Sequence, residues 1–587
     1  MEKFYACVRL NLILAGIYTV LTVSFHLDIS FFAFFVSAVF TFVTAYFAWY
    51  RLLKKNEDRH LMMVLRIFQY EPFVLITAYV MRRAGNTAPC YVIDLLTSLL
   101  WCGTVVSSFV ILFMLRERNL ANVNAAWPAV FTKGSQKSCS GLKRVGRELI
   151  EWVDALIQAV FTIILLNIFL FQLYEIPSES MVPMFLIKDR VAVFKTFAGP
   201  KFPLSRIGLP YVQKYDRGDI VVFRNPHYSD DRKSEVKTFM SQFIYMITLT
   251  LKKTNTDENG ELKADPLVKR IVGLPGEQLM LMDGTLYART SSSPDFHAVE
   301  EESGWAAWNL NPLSSKIKSK IEYIPLSVSE AENTLLIEGE RRKLSFTDVK
   351  KECMELSDRF DSIASSFSQS SQAGSSLSLL KGSALSMYNL FNNVSDISLH
   401  LLSSSDGSSQ FRAFMNDWHE NTAITDGQLA GGDMYSDSRF RLNLMVKLVF
   451  GRLVVRCAEM YSAVDAVSAL DWKTDRVRVE QLEKAQRLYN YIMHMDQRNM
   501  PVFPANDADG NAVYIPENCY FMMGDNRYNS LDMRHSYDSR VEPLTDYDVY
   551  SVTYETNMQP QYVSRSKILG KAGLRFWPLS RFSFIRK

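Results

Sequence analysis

The sequence predicts a multi-span α-helical membrane region followed by a mainly β domain that carries a large, partly helical insertion. Three observations predict this fold class. Uncharged apolar runs of about 20 residues are confined to the part before residue 175. Short runs of Val, Ile and Phe, bounded by Gly, Pro and Asp, follow as in RVAVF and RGDIVVF. Helical spacing of apolar residues then dominates much of the stretch from about Thr290 to Ala512.

Composition excludes several classes of protein. With 587 residues, 48% hydrophobic and 13% aromatic, the chain is too apolar to be disordered throughout. A net charge of +3 is too small to predict a nucleic-acid partner. The seven cysteines are scattered without a C-x-x-C pair, and the eight histidines form no H-E-x-x-H motif. We therefore expect no metal site and no cofactor.

Four segments have the length and composition of membrane spans. They are Leu10–Phe25, Ser30–Tyr50, Leu95–Leu115 and Ala155–Leu173. A fifth segment, Leu61–Met81, contains Arg66, Glu71 and Pro72. It either crosses with its polar groups turned toward other helices or lies on the membrane surface, and the sequence leaves both open.

Charge asymmetry predicts the orientation. If all five segments cross, thirteen Lys and Arg residues share one side, while the opposite short loops hold only Arg82 and Arg83. The positive-inside rule then places the thirteen in the cytoplasm and everything after Leu173 outside. If the fifth segment does not cross, the N-terminus is predicted to lie outside, and the residues after Leu173 are still predicted to lie outside. We expect a multi-pass protein of the plasma (inner) membrane with its β domain on the extracytoplasmic side.

These patterns divide the chain into six parts. The predicted order is a membrane region (1–115, three or four spans), a basic cytoplasmic loop (116–150), the last transmembrane helix (151–173), the first part of a β domain (174–289), a partly helical, serine-rich insertion (290–512) and the second part of the β domain (513–587). Within the insertion, the serine-rich residues 362–409 are interpreted as a flexible connection.

Three blocks of sequence carry a family resemblance. IPSESM, VKRIVGLPGE and YFMMGDNRYNSLDMR follow the last span in that order, and RGDIVVF, ILGKA and WPLSR are weaker matches. Together they resemble bacterial type I signal peptidase (leader peptidase), a family of Ser/Lys-dyad serine proteases. The resemblance implies a signal-peptidase-like β fold and cleavage of signal peptides from exported preproteins. It does not cover the first four spans or the insertion.

The resemblance also implies residue roles. Ser180 would be the nucleophile and Lys269 the general base, and the Ser178 hydroxyl with the Ser180 N–H would form the oxyanion hole. Ser530 would hydrogen-bond and orient the lysine amine, and Met181 would contact substrate. Four charged residues would be structural groups near the site: Arg270, Asp525, Asp532 and Arg534.

The lysine must be neutral to act as a base. A solvated lysine titrates near ~10.4, which leaves only about one molecule in a thousand neutral near pH 7.5. Burial among apolar groups lowers the pKa by disfavouring the ammonium form. Val268, Ile271 and Val272 flank Lys269, so we expect the amine to point where an apolar side chain would point.

Three positions depart from the family pattern. Met533 stands where a small hydroxyl residue is frequent, Met184 where threonine is common, and Lys188 where glycine is frequent. None of these removes a predicted catalytic group, so the departures affect fine geometry only.

The expected partners are preprotein signal peptides, the lipid bilayer and, as a candidate, the protein export machinery, with no nucleic acid. Two alternatives stay open. One is a catalytically inactive, signal-peptidase-like membrane scaffold or preprotein-binding protein, and the other is a self-cleaving regulator with Ser/Lys chemistry.

Overall fold

The structure is a computed structural model of the chain. It describes residues 1–23, 26–85, 90–130, 142–195, 199–211, 214–228, 231–248, 254, 256, 263–367, 380–420, 424–463 and 469–586. Cys139, part of the predicted cytoplasmic loop and part of the serine-rich stretch lie outside these residues.

Among the described residues, five helices are long and apolar enough to cross a membrane. The N-terminal helices are α1 (Glu2–Leu21), α2 (Ile29–Thr44, continuing in wider turns to Lys54), α3 (Leu61–Ala84), α4 (Tyr91–Met114), the short α5 (Glu117–Val123) and α6 (Leu142–Phe169). The segment that the sequence left open is α3. Its Glu71 is 1% exposed and accepts a hydrogen bond of 2.8 Å from Asn11 of α1. The polar groups of this helix thus face its neighbours.

An eight-stranded antiparallel sheet follows α6. Its strands are β1 (Phe171–Glu175), β2 (Arg190–Phe194), β3 (Ile220–Phe223), β4 (Leu267–Gly273), β9 (Cys519–Met523), β12 (Val563–Ser564), β13 (Ile568–Trp577) and β14 (Ser583–Phe584). The order is β1-β2-β13-β3-β4-β9-β12, with β14 paired to β13. Runs of Val and Ile, which suit pleated buried surfaces, form β2, β3 and β4 as the sequence predicts. Residues that are distant along the chain, such as Ile271 and Met522, therefore meet in β4 and β9.

A second sheet has four strands and is separate from the first. It comprises β5 (Glu277–Met282), β6 (Thr285–Thr290), β7 (Ser293–Ala298) and β8 (Met500–Phe503), in the order β7-β6-β5-β8. The turn between β5 and β6 contains Asp283 and Gly284, both with positive φ. Asp-Gly is the pair that a tight hairpin turn favours, because both residues tolerate the left-handed region. A separate hairpin joins β10 (His535–Pro543) and β11 (Thr553–Met558).

Helices fill most of the region between β7 and β8. They are α8 (Glu300–Ser303), α9 (Ser315–Lys318), α10 (Val328–Lys343), α11 (Phe346–Ser366), α12 (Met387–Asn392), α13 (Val394–Ser403), α14 (Gly407–Glu420), α15 (Met434–Ser462), α16 (Ala469–Thr474) and α17 (Arg476–Arg498), and α7 (Arg232–Ile247) lies between β3 and β4. Helix α15 runs through the apolar core of this region, with 20 buried residues among its 29. The same core includes Leu544, Val552 and Tyr554 from β11 and the segment before it. The helical region is thus packed on the β domain.

The serine-rich stretch differs from the prediction. Its described residues form the end of α11 and helices α12 and α13, with α14 beginning at Gly407. Serine serves here as a cap and as a buried donor: the Ser386 side chain accepts from the Asn389 N–H, and the Ser398 hydroxyl donates to the Val454 carbonyl at 2.8 Å. Serine content predicts flexibility only where its hydroxyls lack such partners. The interpretation as a flexible connection is therefore wrong for these residues.

Candidate active site

The segment with the two serines forms the turn between β1 and β2. Its two ends are joined where the Ile176 N–H donates to the Asp189 carbonyl at 2.8 Å and the Lys188 N–H to the Ile176 carbonyl at 2.9 Å. Inside the turn, Met181 and Phe185 are 1% and 0% exposed and pack on β2 and β3. The apolar residues of IPSESMVPMF thus anchor the turn and leave the serines at its surface.

Charged residues fix the far end of this turn. The Asp189 carboxylate is buried, accepts from the Leu186 N–H at 2.9 Å and pairs with Arg581 at 2.9 Å. Arg575 donates to the Met184 carbonyl at 2.6 Å. The closing segment of the chain therefore holds the serine turn by charge-assisted hydrogen bonds.

The predicted nucleophile and base are adjacent. Lys269 Nζ lies 2.6 Å from Ser180 Oγ, a hydrogen-bonding distance. Lys269 is on β4, opposite Val221 of β3 and on the same strand face as the buried Ile271. Only 3% of Lys269 is exposed, whereas Ser180 is half-buried. The pair is therefore open on the serine side and enclosed on the lysine side.

The environment of Lys269 increases the fraction of its amine that is neutral, relative to a lysine in water. Burial lowers the pKa of its amine to about 8, and the positive charge of Arg534 acts in the same direction. The carboxylates of Asp532 and Asp525 oppose this shift. At pH 7.5 roughly one lysine in four is then neutral, against about one in a thousand in water. The amine is thus able to accept a proton from a serine hydroxyl.

The two carboxylates are themselves neutralised by arginines. Arg270 donates through Nε and Nη2 to both oxygens of Asp525, at 2.8 and 2.6 Å. Arg534 makes the same two-point contact with Asp532, at 2.8 and 2.9 Å, and its positive charge helps to hold the pKa of that carboxyl well below its usual range. All four side chains are buried. Two buried ion pairs thus lie near Lys269 and act on it electrostatically.

The serine that would line the oxyanion hole is at the surface. Ser178 is exposed, and its hydroxyl lies 3.4 Å from Ser180 Oγ. It stands beside the nucleophile on the solvent side, where a substrate carbonyl would approach.

Ser530 and Met181 do not make the contacts that the family resemblance implies. Ser530 is 6% exposed, and its hydroxyl has no hydrogen-bond partner among the described residues, so the predicted bond to the Lys269 amine is not formed in this structure. A Cβ on Gly524 would lie 2.2 Å from the Ser530 hydroxyl and 2.5 Å from the Ser180 carbonyl oxygen. Only glycine, which has no Cβ, lets the Ser530 hydroxyl and the Ser180 carbonyl oxygen lie this close to the backbone at position 524. Met181 packs in the core beneath the serine turn and does not reach the surface beside Ser180.

Sequence reasoning missed two residues that position the backbone at Ser180. The Asn526 N–H donates to the Ser180 carbonyl at 3.1 Å, and the Asn526 side chain donates to the Glu179 carbonyl at 3.2 Å. The Glu179 carboxylate accepts from the backbone N–H groups of Glu322 and Tyr323, at 2.5 and 3.1 Å. Both residues lie inside the quoted blocks, but their side chains point to partners that the spacing of the blocks does not reveal.

A segment after β7 covers one side of the site. Ala307 exchanges hydrogen bonds with the third block, donating to the Asp525 carbonyl at 2.8 Å and accepting from the Arg527 N–H at 3.2 Å. Leu310 packs with Val182 and Leu186 of the serine turn. Residues 304–326 are therefore part of the wall around Ser180, although the sequence assigned them to the insertion.

The residues of the candidate site lie within the part of the chain that matches a protein-family model. The family model for signal peptidase, peptidase S26, matches residues 149–318 and 469–577. The chain is similar to signal peptidase I of Bacillus licheniformis, 29% identical over 139 residues, which are 24% of this chain and 50% of that protein. It is also similar to signal peptidase I of Pseudomonas aeruginosa, 27% identical over 180 residues, which are 30% of this chain and 59% of that protein.

A third relative is signal peptidase I of Buchnera aphidicola, 28% identical over 127 residues, which are 22% of this chain and 30% of that protein. The chain thus spans between 30% and 59% of the length of these relatives. The search of the solved structures gave no match. The family match includes the wall segment up to residue 318 and resumes at 469. These matches support the assignment of the chain to the signal peptidase family, peptidase S26, and residues 319–468 separate the two parts that the family model matches.

Proposed function

We propose that the chain is a membrane-bound signal peptidase that cleaves N-terminal signal peptides from exported preproteins by a Ser180/Lys269 dyad. The observation that carries the proposal is the 2.6 Å contact between Ser180 Oγ and an amine that burial holds at a pKa of about 8. A catalytically inactive scaffold has no need of this arrangement, because a buried, unpaired lysine costs stability.

The mechanism has two halves. Neutral Lys269 takes the Ser180 proton while Oγ attacks the scissile carbonyl carbon, and the resulting oxyanion accepts from the Ser178 hydroxyl and the Ser180 N–H. The lysine ammonium then protonates the leaving amine, the peptide C–N bond breaks and an ester remains on Ser180. Neutral Lys269 next deprotonates a water molecule, which attacks the ester and releases the carboxylate product with the serine hydroxyl restored. No other reactant is required.

Substrate binding follows from the open side of the dyad. We propose that the preprotein binds as an extended strand with small residues such as Ala at the first and third positions before the cut. The catalytic domain would lie on the extracytoplasmic side of the plasma membrane. Arg83 donates through Nε to the Leu204 carbonyl at 2.8 Å, so the C-terminal end of α3 and the β domain are in contact. The positive-inside rule predicts that this end of α3 is outside when all five segments cross, which supports the proposed placement.

Processing of a model preprotein by the full chain in lipid vesicles tests the catalytic proposal. We expect Ser180→Ala and Lys269→Ala each to lower the rate by at least about 10³-fold, and Ser178→Ala by about 10²-fold to 10³-fold. Lys484→Ala, on the exposed face of α17, is the matched lysine control and should process at the wild-type rate. Wild-type activity in either dyad variant would refute the proposal.

The placement has a separate test. In sealed right-side-out membrane vesicles, an added protease should digest the region after residue 170 and spare the loop between α4 and α6. Digestion of that loop alone would contradict the extracytoplasmic assignment and favour a cytoplasmic Ser/Lys regulator.

A further inference from the structure

A basic cavity lies where the long helices meet the β domain. Its volume is ≈ 690 Å³, and its lining includes seven basic and two acidic side chains. The lining comes from the C-terminal ends of α3 and α6, the N-terminal end of α4, the start of α7, strand β1, the residues after β2 and β3, and residues 566–569. The cavity contains none of the dyad or wall residues described above.

The two acidic side chains are already paired. Asp94 lies 3.2 Å from Arg83. Glu235 lies 3.1 Å from Arg232 and 3.9 Å from Arg224. Lys195, Lys201 and Arg206 of the lining lie outside these pairs, and no ion pair joins them to an acidic group of the described residues.

Lys195 is the clearest example of a basic lining residue outside these ion pairs. It is half-buried, and no acidic group of the described residues lies within ion-pair distance of its amine. Burial, together with the positive charge of Arg224, lowers its pKa to about 8. On the same wall, Nη2 of Arg232 is buried and has no hydrogen-bond acceptor among the described residues. Unsatisfied cationic donors of this kind stabilise a bound anion.

The position of the cavity indicates the source of the anion. Arg83, Asn167 and Tyr91 place the ends of three apolar helices around it. If these helices cross a bilayer, their ends lie at the level of the lipid headgroups, where phosphates are concentrated. Guanidinium and ammonium groups bind phosphate oxygens strongly. Both acidic side chains are engaged by arginine, so the lining offers no free carboxylate to a choline or ethanolamine group.

We propose that this cavity binds the phosphate headgroup of an anionic phospholipid and so holds the β domain at a fixed position against the membrane. Lys195 and Arg224 contact the phosphate from the β domain, and Arg232 contacts it from α7. The site differs from the catalytic one in ligand and in place, and it does not depend on the proposed peptidase activity.

Thermal unfolding of the purified full chain in detergent tests the proposal. Added phosphatidylglycerol should raise the unfolding temperature of the wild type by a few degrees more than phosphatidylcholine does. The double variant Lys195→Gln, Arg224→Gln should lose this difference. Arg190→Gln removes an exposed charge from β2, outside the cavity, and should keep it. Equal effects of the two lipids, or a retained difference in the double variant, would overturn the proposal.

Two further measurements remove ambiguity. Inorganic phosphate at the same concentration should not reproduce the shift, and if it does, the site takes free phosphate and the lipid assignment is wrong. Acylation of Lys195 by an N-hydroxysuccinimide ester, read by mass spectrometry on the wild type, needs no variant to fold. At about ten times its Kd, phosphatidylglycerol should slow this labelling about tenfold, because only about one molecule in eleven stays free. Labelling of Lys195 at the same rate in phosphatidylglycerol and in phosphatidylcholine would refute the proposal.

Discussion

The pH dependence of processing is a direct consequence of the buried lysine. With a pKa of about 8, Lys269 is neutral in about one molecule in a hundred at pH 6, one in ten at pH 7 and half at pH 8. We therefore expect kcat/KM to rise about tenfold from pH 6 to pH 7, to bend near pH 8 and to level off above pH 9. Single-turnover processing of a model preprotein across pH 6 to 9.5 measures this profile.

The carboxylates beside the dyad supply a matched perturbation. The negative charge of Asp532 raises the pKa of Lys269, so Asp532→Asn removes that effect and also leaves the positive charge of Arg534 uncompensated. Both changes lower the pKa, and the bend should move to lower pH. A purely structural loss at Asp532 would lower the rate at every pH without moving the bend.

Other outcomes would refute this reasoning. A profile that is flat from pH 6 to 9 would mean that no titrating base acts. A bend near ~6.5 would point to a histidine, and a rise that continues without a bend to pH 9.5 would point to a solvated lysine, which titrates near ~10.4. The buried His535 is no source of such a bend, because burial lowers its pKa to about 4. Arg540→Gln, an exposed change on β10, is the control and should leave the profile unchanged.

Three further predictions concern stability, each measured by thermal unfolding of the full chain in detergent. Lys269→Met should abolish processing yet stabilise the fold near pH 7 by about 3 kcal/mol, the equivalent of the pKa shift from 10.5 to about 8. Between pH 8 and 10.5 the folded wild type holds fewer protons than the unfolded chain, so the stability of the wild type rises with pH. The stability advantage of Lys269→Met should therefore shrink in this range. An advantage that is absent near pH 7, or that stays constant up to pH 10.5, would contradict this prediction. Lys188→Gly should stabilise by about 1 kcal/mol, since Lys188 has a φ of 68°, whereas Lys343→Gly at the end of α10 should not. Arg270→Met should destabilise by about 3 to 5 kcal/mol because it leaves Asp525 buried and unpaired; a loss no larger than that of Arg540→Met would refute a structural role for the pair.

The sequence predicted the elements that depend on local pattern. Strands β2, β3 and β4 lie where runs of Val and Ile indicate them, and α15 and α17 lie where the helical spacing of apolar residues does. The order of the blocks around Ser180 and Lys269 predicted the family. Lys188 is a similar case: the sequence noted it where glycine is frequent, and its positive φ supplies the physical reason.

Contacts between distant residues were decided by the tertiary structure alone. The Glu179 carboxylate meets backbone N–H groups 143 and 144 positions away, and Asn526 reaches the Glu179 carbonyl across 347 positions. The basic cavity gathers Arg83, Lys195 and Arg232 from separate elements. Periodicity reports only which face of an element is buried, whereas these contacts depend on how whole elements pack. The sequence by itself determined the strands, the apolar helices and the candidate residues Ser180 and Lys269, because these follow from local pattern and motif order. The packing determined the burial that lowers the pKa of the lysine, the wall around Ser180 and the basic cavity, because these depend on elements that are distant in the chain.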